Sequence, residues 1–187
     1  MPVTIADVVQ HLEAGGLEVC PPLPGEESRS VVLPTHAYRD GDGQPLVGIV
    51  VRLLNQGTCL EASVPRAYEA GRAAHKAAFF DALLRMVHTF HHVRAGHDAS
   101  DGEVALSVDM PLIEAEVSKE QVQAMVVTLL MTLEDFHEVL VHAMESGEID
   151  LGRRLSQREP DVYGLAGDDD GTDGDDGGGG AGTSQDG

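Results

Sequence analysis

The stretch Ser118–Gly147, SKEQVQAMVVTLLMTLEDFHEVLVHAMESG, sets the architecture of this chain. Ser118 followed three residues later by Gln121 has the form of a capping box. The hydroxyl satisfies one unpaired amide of the first turn, and the Gln reaches back to another. Val122, Val126, Leu129, Leu133, Phe136, Leu140 and Ala143 then recur in alternating steps of four and three, and Met125, Leu130 and Val139 widen the stripe beyond a narrow seam. Such a helix has to be covered along its length. Gly147 supplies the left-handed position at which the helix stops.

Upstream of this helix, Glu103–Leu112 alternates strictly: Val104, Leu106, Val108, Met110 and Leu112 against Ala105, Ser107, Asp109 and Pro111. This period of two predicts a half-buried strand, paired with His91–Asp98 through a turn at Ser100-Asp101-Gly102. A second helix is expected from roughly Ala73 to Phe90, with Phe79, Phe80, Leu83, Leu84 and Val87 on a broad apolar face. Before it lie three strand-like runs. Ser30–Ala37 carries Pro34 and is expected at an edge. Leu46–Leu54 (LVGIVVRLL) reads as a central strand, and Thr58–Val64 alternates up to Pro65, which is expected to end the meander. Leu17–Cys20 reads as a brief additional strand. Thr4 caps a first helix whose Ile5, Val8, Val9 and Leu12 share a face, and Gly15-Gly16 ends it.

The order α-β-β-β-α-β-β-α predicts an α+β fold: an antiparallel sheet of about five strands, helices on one side, and a long C-terminal helix. Residues 1–147 form the expected domain and 148–163 an extension. The run 164–187 holds seven aspartates and no Lys, Arg, Phe or Ile, so it is expected to be a disordered acidic tail. Within it DDDGTDGDD (Asp168–Asp176) lies off the calcium-loop register and lacks the terminal Glu, so no ordered calcium site is expected.

Setting aside the tail's seven aspartates from a formal charge of −20 leaves −13 on residues 1–163. That balance argues against nucleic acid, which requires Lys and Arg to displace counterions, and favours basic partners. No run of eighteen apolar residues appears, so no membrane span is expected. The N-terminus carries no basic, apolar leader, and Cys20 and Cys59 lack CxxC spacing; buried free thiols and a cytoplasmic protein are the expectation.

The element order, the strand EVALSVDMPL, the link IEAEVSKEQV (Ile113–Val122) and the helix ending LEDFHEVLVHAM (Leu133–Met144) together resemble the YbjN family of bacterial domains over about residues 4–147. The resemblance implies a fold like that of the small α/β chaperones of type III secretion, which dimerise and bind partner segments on their surfaces. It also implies a role in sensory-transduction regulation or stress tolerance. No catalytic residues come with it. The Asp/Gly tail and His88-x-x-His91-His92 depart from a plain family member.

Nine histidines are the candidates for metal or reactive chemistry. His88, His91, His92 and His97 lie close in sequence, and imidazoles brought together there would suit a divalent metal. Strand alternation, however, sends His91 and His92 to opposite faces. His137 and His142 are five apart on one helix and point away from each other. There is no nucleophile elbow and no phosphate loop, and nothing marks carboxylates such as Glu134-Asp135 or Glu114 and Glu116 as buried. No catalytic, cofactor-binding or metal-ligating residue is therefore assigned, and no cofactor is expected.

The expected function is non-catalytic: a protein-binding or regulatory module of YbjN type that holds a peptide segment or partner protein on its sheet or helical groove. The alternative is a small metal-binding protein or metal-dependent enzyme using His88, His91 and His92. Val127, Met131 and Val141 beside the main seam, with Met86 and His75 on the second helix, leave surplus surface that a homodimer would cover. Truncation after Tyr163 should leave the melting temperature within about 5 °C, because an Asp/Gly segment makes few contacts. A larger drop in a thermal melt would show that the segment docks.

Overall fold

The computed structural model describes residues 3–22, 27–112 and 116–158. In chain order the elements are α1 (Ile5–Ala14), β1 (Val19–Cys20), β2 (Arg29–Pro34), β3 (Leu46–Leu54), β4 (Cys59–Glu69), α2 (Lys76–Thr89), β5 (Val93–His97), β6 (Glu103–Pro111), α3 (Lys119–Ser146) and α4 (Leu155–Arg158). All pairings are antiparallel, and the strands lie in the order β1-β2-β3-β4-β6-β5. The expected α+β class holds, with six strands, the sixth being the two-residue β1. The acidic segment 164–187, its DDDGTDGDD run, and residues 113–115 of the link lie outside the described residues.

Register separates the two faces of the sheet. Ala62 sits between Val51 and Val108, and Val108 faces Val93; all four are buried and point to the helices. One residue along, Glu61 lies between Arg52 and Asp109 on the helix-free face. Glu61 and Asp109 are like charges directly opposite each other, an arrangement that is destabilising by itself. Arginines from the flanking strands offset it, Arg52 at 2.7 Å from Glu61 and Arg94 at 2.6 Å from Asp109.

Both helix starts read from sequence are present. Thr4 exchanges bonds with Asp7, and Ser118 accepts from the Gln121 amide while the Gln121 side chain accepts from the Ser118 amide. At the other end of α3, Gly147 has φ +81, and a Cβ there would stand 2.9 Å from the His75 ring. Two constraints thus demand glycine, backbone hand and the close approach of α2's first turn, whose His75 amide donates to the Met144 carbonyl. Along α3, Val122, Val126, Leu129, Leu133, Phe136, Leu140 and Ala143 are all buried. Full burial of each large apolar side chain contributes about 1.5–3 kcal/mol.

Several expectations are corrected. Pro65 does not end the meander: β4 runs on to Glu69 through an irregularity between Val64 and Tyr68. His91 and His92 occupy the turn before β5, so strand alternation does not govern them. On α2 the buried residues are Phe79, Ala82, Leu83 and Met86, whereas Leu84 is 68% exposed. Met86 is thus core and not surplus, while Val127 on α3 is 44% exposed. Cys20 and Cys59 are free but only half-buried. Burial, then the Asp109 charge, pushes the Cys59 thiol up.

Glu134 and Asp135, unmarked in the sequence, are both buried on α3. Glu134 accepts the His36 and Ala37 amides, each at 2.8 Å, which fastens the β2–β3 loop to the helix. Asp135 accepts from Arg154 at 2.6 Å and from the Ser156 amide at 2.8 Å, while the Arg154 guanidinium stands 4.7 Å from the centre of the Phe136 ring. The segment after Gly147 is thereby held to α3 as far as α4. Asp135→Ala should cost about 1.5–3 kcal/mol, because it removes hydrogen bonds to a buried charge. It should also speed trypsin cleavage at Arg153 and Arg154, and unchanged stability and cleavage rate would rule out this anchor.

Candidate functional site

The irregularity in β4 is what creates a site. Between Val64, which faces Leu106, and Tyr68, which faces Val104, β4 places Pro65, Arg66 and Ala67 opposite Ala105 alone. Such a bulge bends its strand and disrupts the ladder. Pro65 has no amide to donate, and Arg66 takes φ +51, a hand that side chains resist. The Arg66 amide turns instead to the Glu103 carboxylate at 3.2 Å, and its guanidinium bonds the same carboxylate at 2.9 Å.

In consequence β3 and β4 part. Their register covers Val50–Leu54 with Cys59–Ser63 and goes no further, so Leu46–Ile49 keep a strand neighbour only on the β2 side. Beside the parting lies an open surface concavity of about 1080 Å³, and Tyr38, Val47, Val64 and Tyr68, which border it, are themselves buried. A smaller cleft of about 640 Å³, beside Ile5, Arg29 and Arg52, shares Val50 with it.

Tyr38, from the β2–β3 loop, braces the parted strands. It is fully packed, its hydroxyl donates to the Ala67 carbonyl at 3.2 Å, and its own carbonyl accepts from the Thr35 hydroxyl at 2.8 Å. Its ring meets Tyr68 edge-on at 6.1 Å and His137 at 5.2 Å, and the Tyr68 hydroxyl lies 3.5 Å from His137 Nδ1. Burial, then the Asp40 charge, pushes the Tyr38 phenol up to about 12. Burial, with Tyr38 and Glu134 behind it, raises Tyr68 well above the ordinary phenol range. Burial, then Arg39, holds the His137 imidazole below its usual value against the opposing pull of Glu134 and Glu138. At neutral pH the packed layer behind the concavity is therefore aromatic and uncharged, while the rim carries charged side chains.

The candidate histidines disperse. His88 and His91 stand with ring centres 5.9 Å apart, His97 packs on Phe80 at 4.9 Å, and His142 is beside Ser146. His92 is exposed in the turn. Among the described residues no group of three or more His, Cys, Asp or Glu side chains is placed to hold a metal ion. No helix among them is long and apolar enough to cross a membrane. Tyr38, Tyr68 and the bulge carry no motif in the sequence; the available signal is a proline inside an otherwise alternating strand, which marks a bulge as well as a stop.

No family model matches the chain, and no curated protein matches it. A chain in the crystal structure of the ExsC-ExsE complex is similar in fold, with a TM-score of 0.50 and 20% identity over 75% of this chain and 97% of that one. At that identity the likeness is one of fold.

Tyr38→Phe should cost about 1–2 kcal/mol, since it leaves the buried Ala67 carbonyl without its partner. A melt indistinguishable from wild type would remove the brace. Because His137 has a lower pKa folded than unfolded, the unfolded chain binds more protons and stability falls as pH drops below 6.5. His137→Gln should flatten that part of the stability–pH curve, and identical slopes in the two proteins would refute the assignment.

Proposed function

We propose that the chain is a non-catalytic, protein-binding module of YbjN type, acting in the cytoplasm as a regulator or chaperone-like protein and working as a homodimer. The observation that carries this reading is the parting of β3 and β4, a surface concavity with a charged rim over buried aromatic side chains. The fold likeness adds weight, because the similar chain was solved in a complex of two proteins. The resemblance to YbjN domains supports the same class of function. The acidic body favours a basic partner.

The surface for the dimer is the outward side of α2 and the adjacent β5. Leu84 is exposed there, Phe80 is half-buried against His97, and Ala95 lies open on the strand. A two-fold contact would use that patch twice. The metal-dependent alternative rests on His88 and His91 alone, with no third ligand beside them among the described residues.

Two measurements test the proposal. Tagged protein expressed in its native cell, crosslinked and purified, should bring down one partner in fixed stoichiometry; the absence of any stoichiometric protein would reject the binding function. Light scattering at micromolar concentration should give twice the chain mass, and Leu84→Lys should halve it. A single-chain mass for wild type, insensitive to salt or dilution, would sink the dimer.

A further inference from the structure

We infer that Ser156 is a phosphorylation site for a serine kinase that reads basic residues, and that phosphate on it releases residues 150–158 from α3. Arg153 and Arg154 stand three and two positions before Ser156, in the run RRLSQR. They are the chain's only adjacent Lys or Arg residues, and no other Ser or Thr has arginine at both positions. Kinases discriminate among substrates by the charge around the acceptor, and a guanidinium pair upstream of it fits a peptide groove lined by carboxylates. Ser156 is exposed, so its hydroxyl is open to a kinase. In the transfer that oxygen attacks the γ-phosphorus of ATP. A new O–P bond replaces the bridging O–P bond, ADP leaves, and the hydroxyl proton passes to the kinase's general base.

The docked segment gives the phosphate something to act on. Both arginines are committed there, Arg154 to Asp135 at 2.6 Å and Arg153 to Asp150 at 3.4 Å. The Ser156 amide also donates to Asp135, at 2.8 Å, and Asp135 is only 4% exposed. A kinase that reads the two arginines therefore takes the segment in its undocked state, and the strength of the Asp135 anchor sets how often that state occurs. Once transferred, the phosphate carries a charge of about −1.5 to −2 on the residue whose own amide bonds Asp135. Repulsion from the buried carboxylate and competition for the Arg154 guanidinium both oppose redocking. Release uncovers the Phe136 ring, which the docked Arg154 faces at 4.7 Å. It also takes Arg153 away from the concavity that it lines with His137, Val141 and His142. The bistable element that the modification biases is thus the strap itself.

The test treats the full chain with ATP and the catalytic subunit of cyclic-AMP-dependent protein kinase, and reads the product by intact-mass and peptide mass spectrometry. Wild type should take phosphate at Ser156, and Ser156→Ala should take none. Arg153→Ala, which leaves the Asp135 anchor in place, should slow the transfer by about tenfold or more with the melting temperature unchanged. In the phosphorylated chain, hydrogen exchange at the Ser156 amide should be at least about tenfold faster than in the unmodified chain, while the buried turns of α3 keep their protection. A lysate of the native cell supplied with ATP should modify the same residue. Phosphate retained by Ser156→Ala, an unchanged rate in Arg153→Ala, or a lysate that leaves Ser156 unmodified would overturn the site. Phosphate at Ser156 with unchanged exchange at its amide would overturn the release.

Discussion

The fold depends on covering α3. Twenty-eight residues long and buried on much of its circumference, this helix cannot be satisfied by a sheet on one side alone. The inner row of the sheet takes the seam, and α1 and α2 flank it. The β2–β3 loop and the segment after Gly147 approach it through Glu134 and Asp135. Those two carboxylates show how a polar group becomes tolerable at such a position. Each is buried, and each accepts two or more bonds from segments that would otherwise carry unpaired amides or an unpaired guanidinium.

Fastening the β2–β3 loop through Glu134 has a consequence for the sheet. The loop that places its His36 and Ala37 amides on α3 also places Tyr38, one residue on, beneath the parting of β3 and β4. The bulge at Pro65–Ala67 removes the inter-strand ladder at that point, and the phenol hydroxyl supplies a bond to one of the carbonyls released. The opening is thus a built part of the sheet, closed behind by the packed Tyr38 and Tyr68 side chains.

Charge acts on the two faces differently. On the helix-free face, Glu61 and Asp109 are each matched by an arginine on the flanking strand, so the sheet carries its like-charge pair without an isolated ion. Around the cleft, arginines are turned inward to carbonyls and to two of the carboxylates, and the remaining acids face the opening. The net charge of the body sets its long-range field, and this local imbalance adds to it around the concavity.

Features that depend on local chemistry and period are legible in the chain alone: the cap at Thr4, the capping box at Ser118, the stop at Gly147, the strict alternation of Glu103–Leu112, and the seam of α3. With them comes the α+β order of elements, because periods of 3.6 and 2 dictate which face each element must bury. The remaining features exist only once distant segments meet. Whether Pro65 stops a strand or bulges it depends on what β6 offers opposite, and whether Leu84 or Met86 is core depends on where β5 and α3 lie. Glu134 and Asp135 read as two more acids in an acidic chain until the amides and the arginine that pair with them, 19 to 98 residues away, are brought alongside. Tyr38, Tyr68 and His137 have no shared sequence pattern, so their meeting in one cleft is set by the packing of three separate elements, which no local pattern encodes.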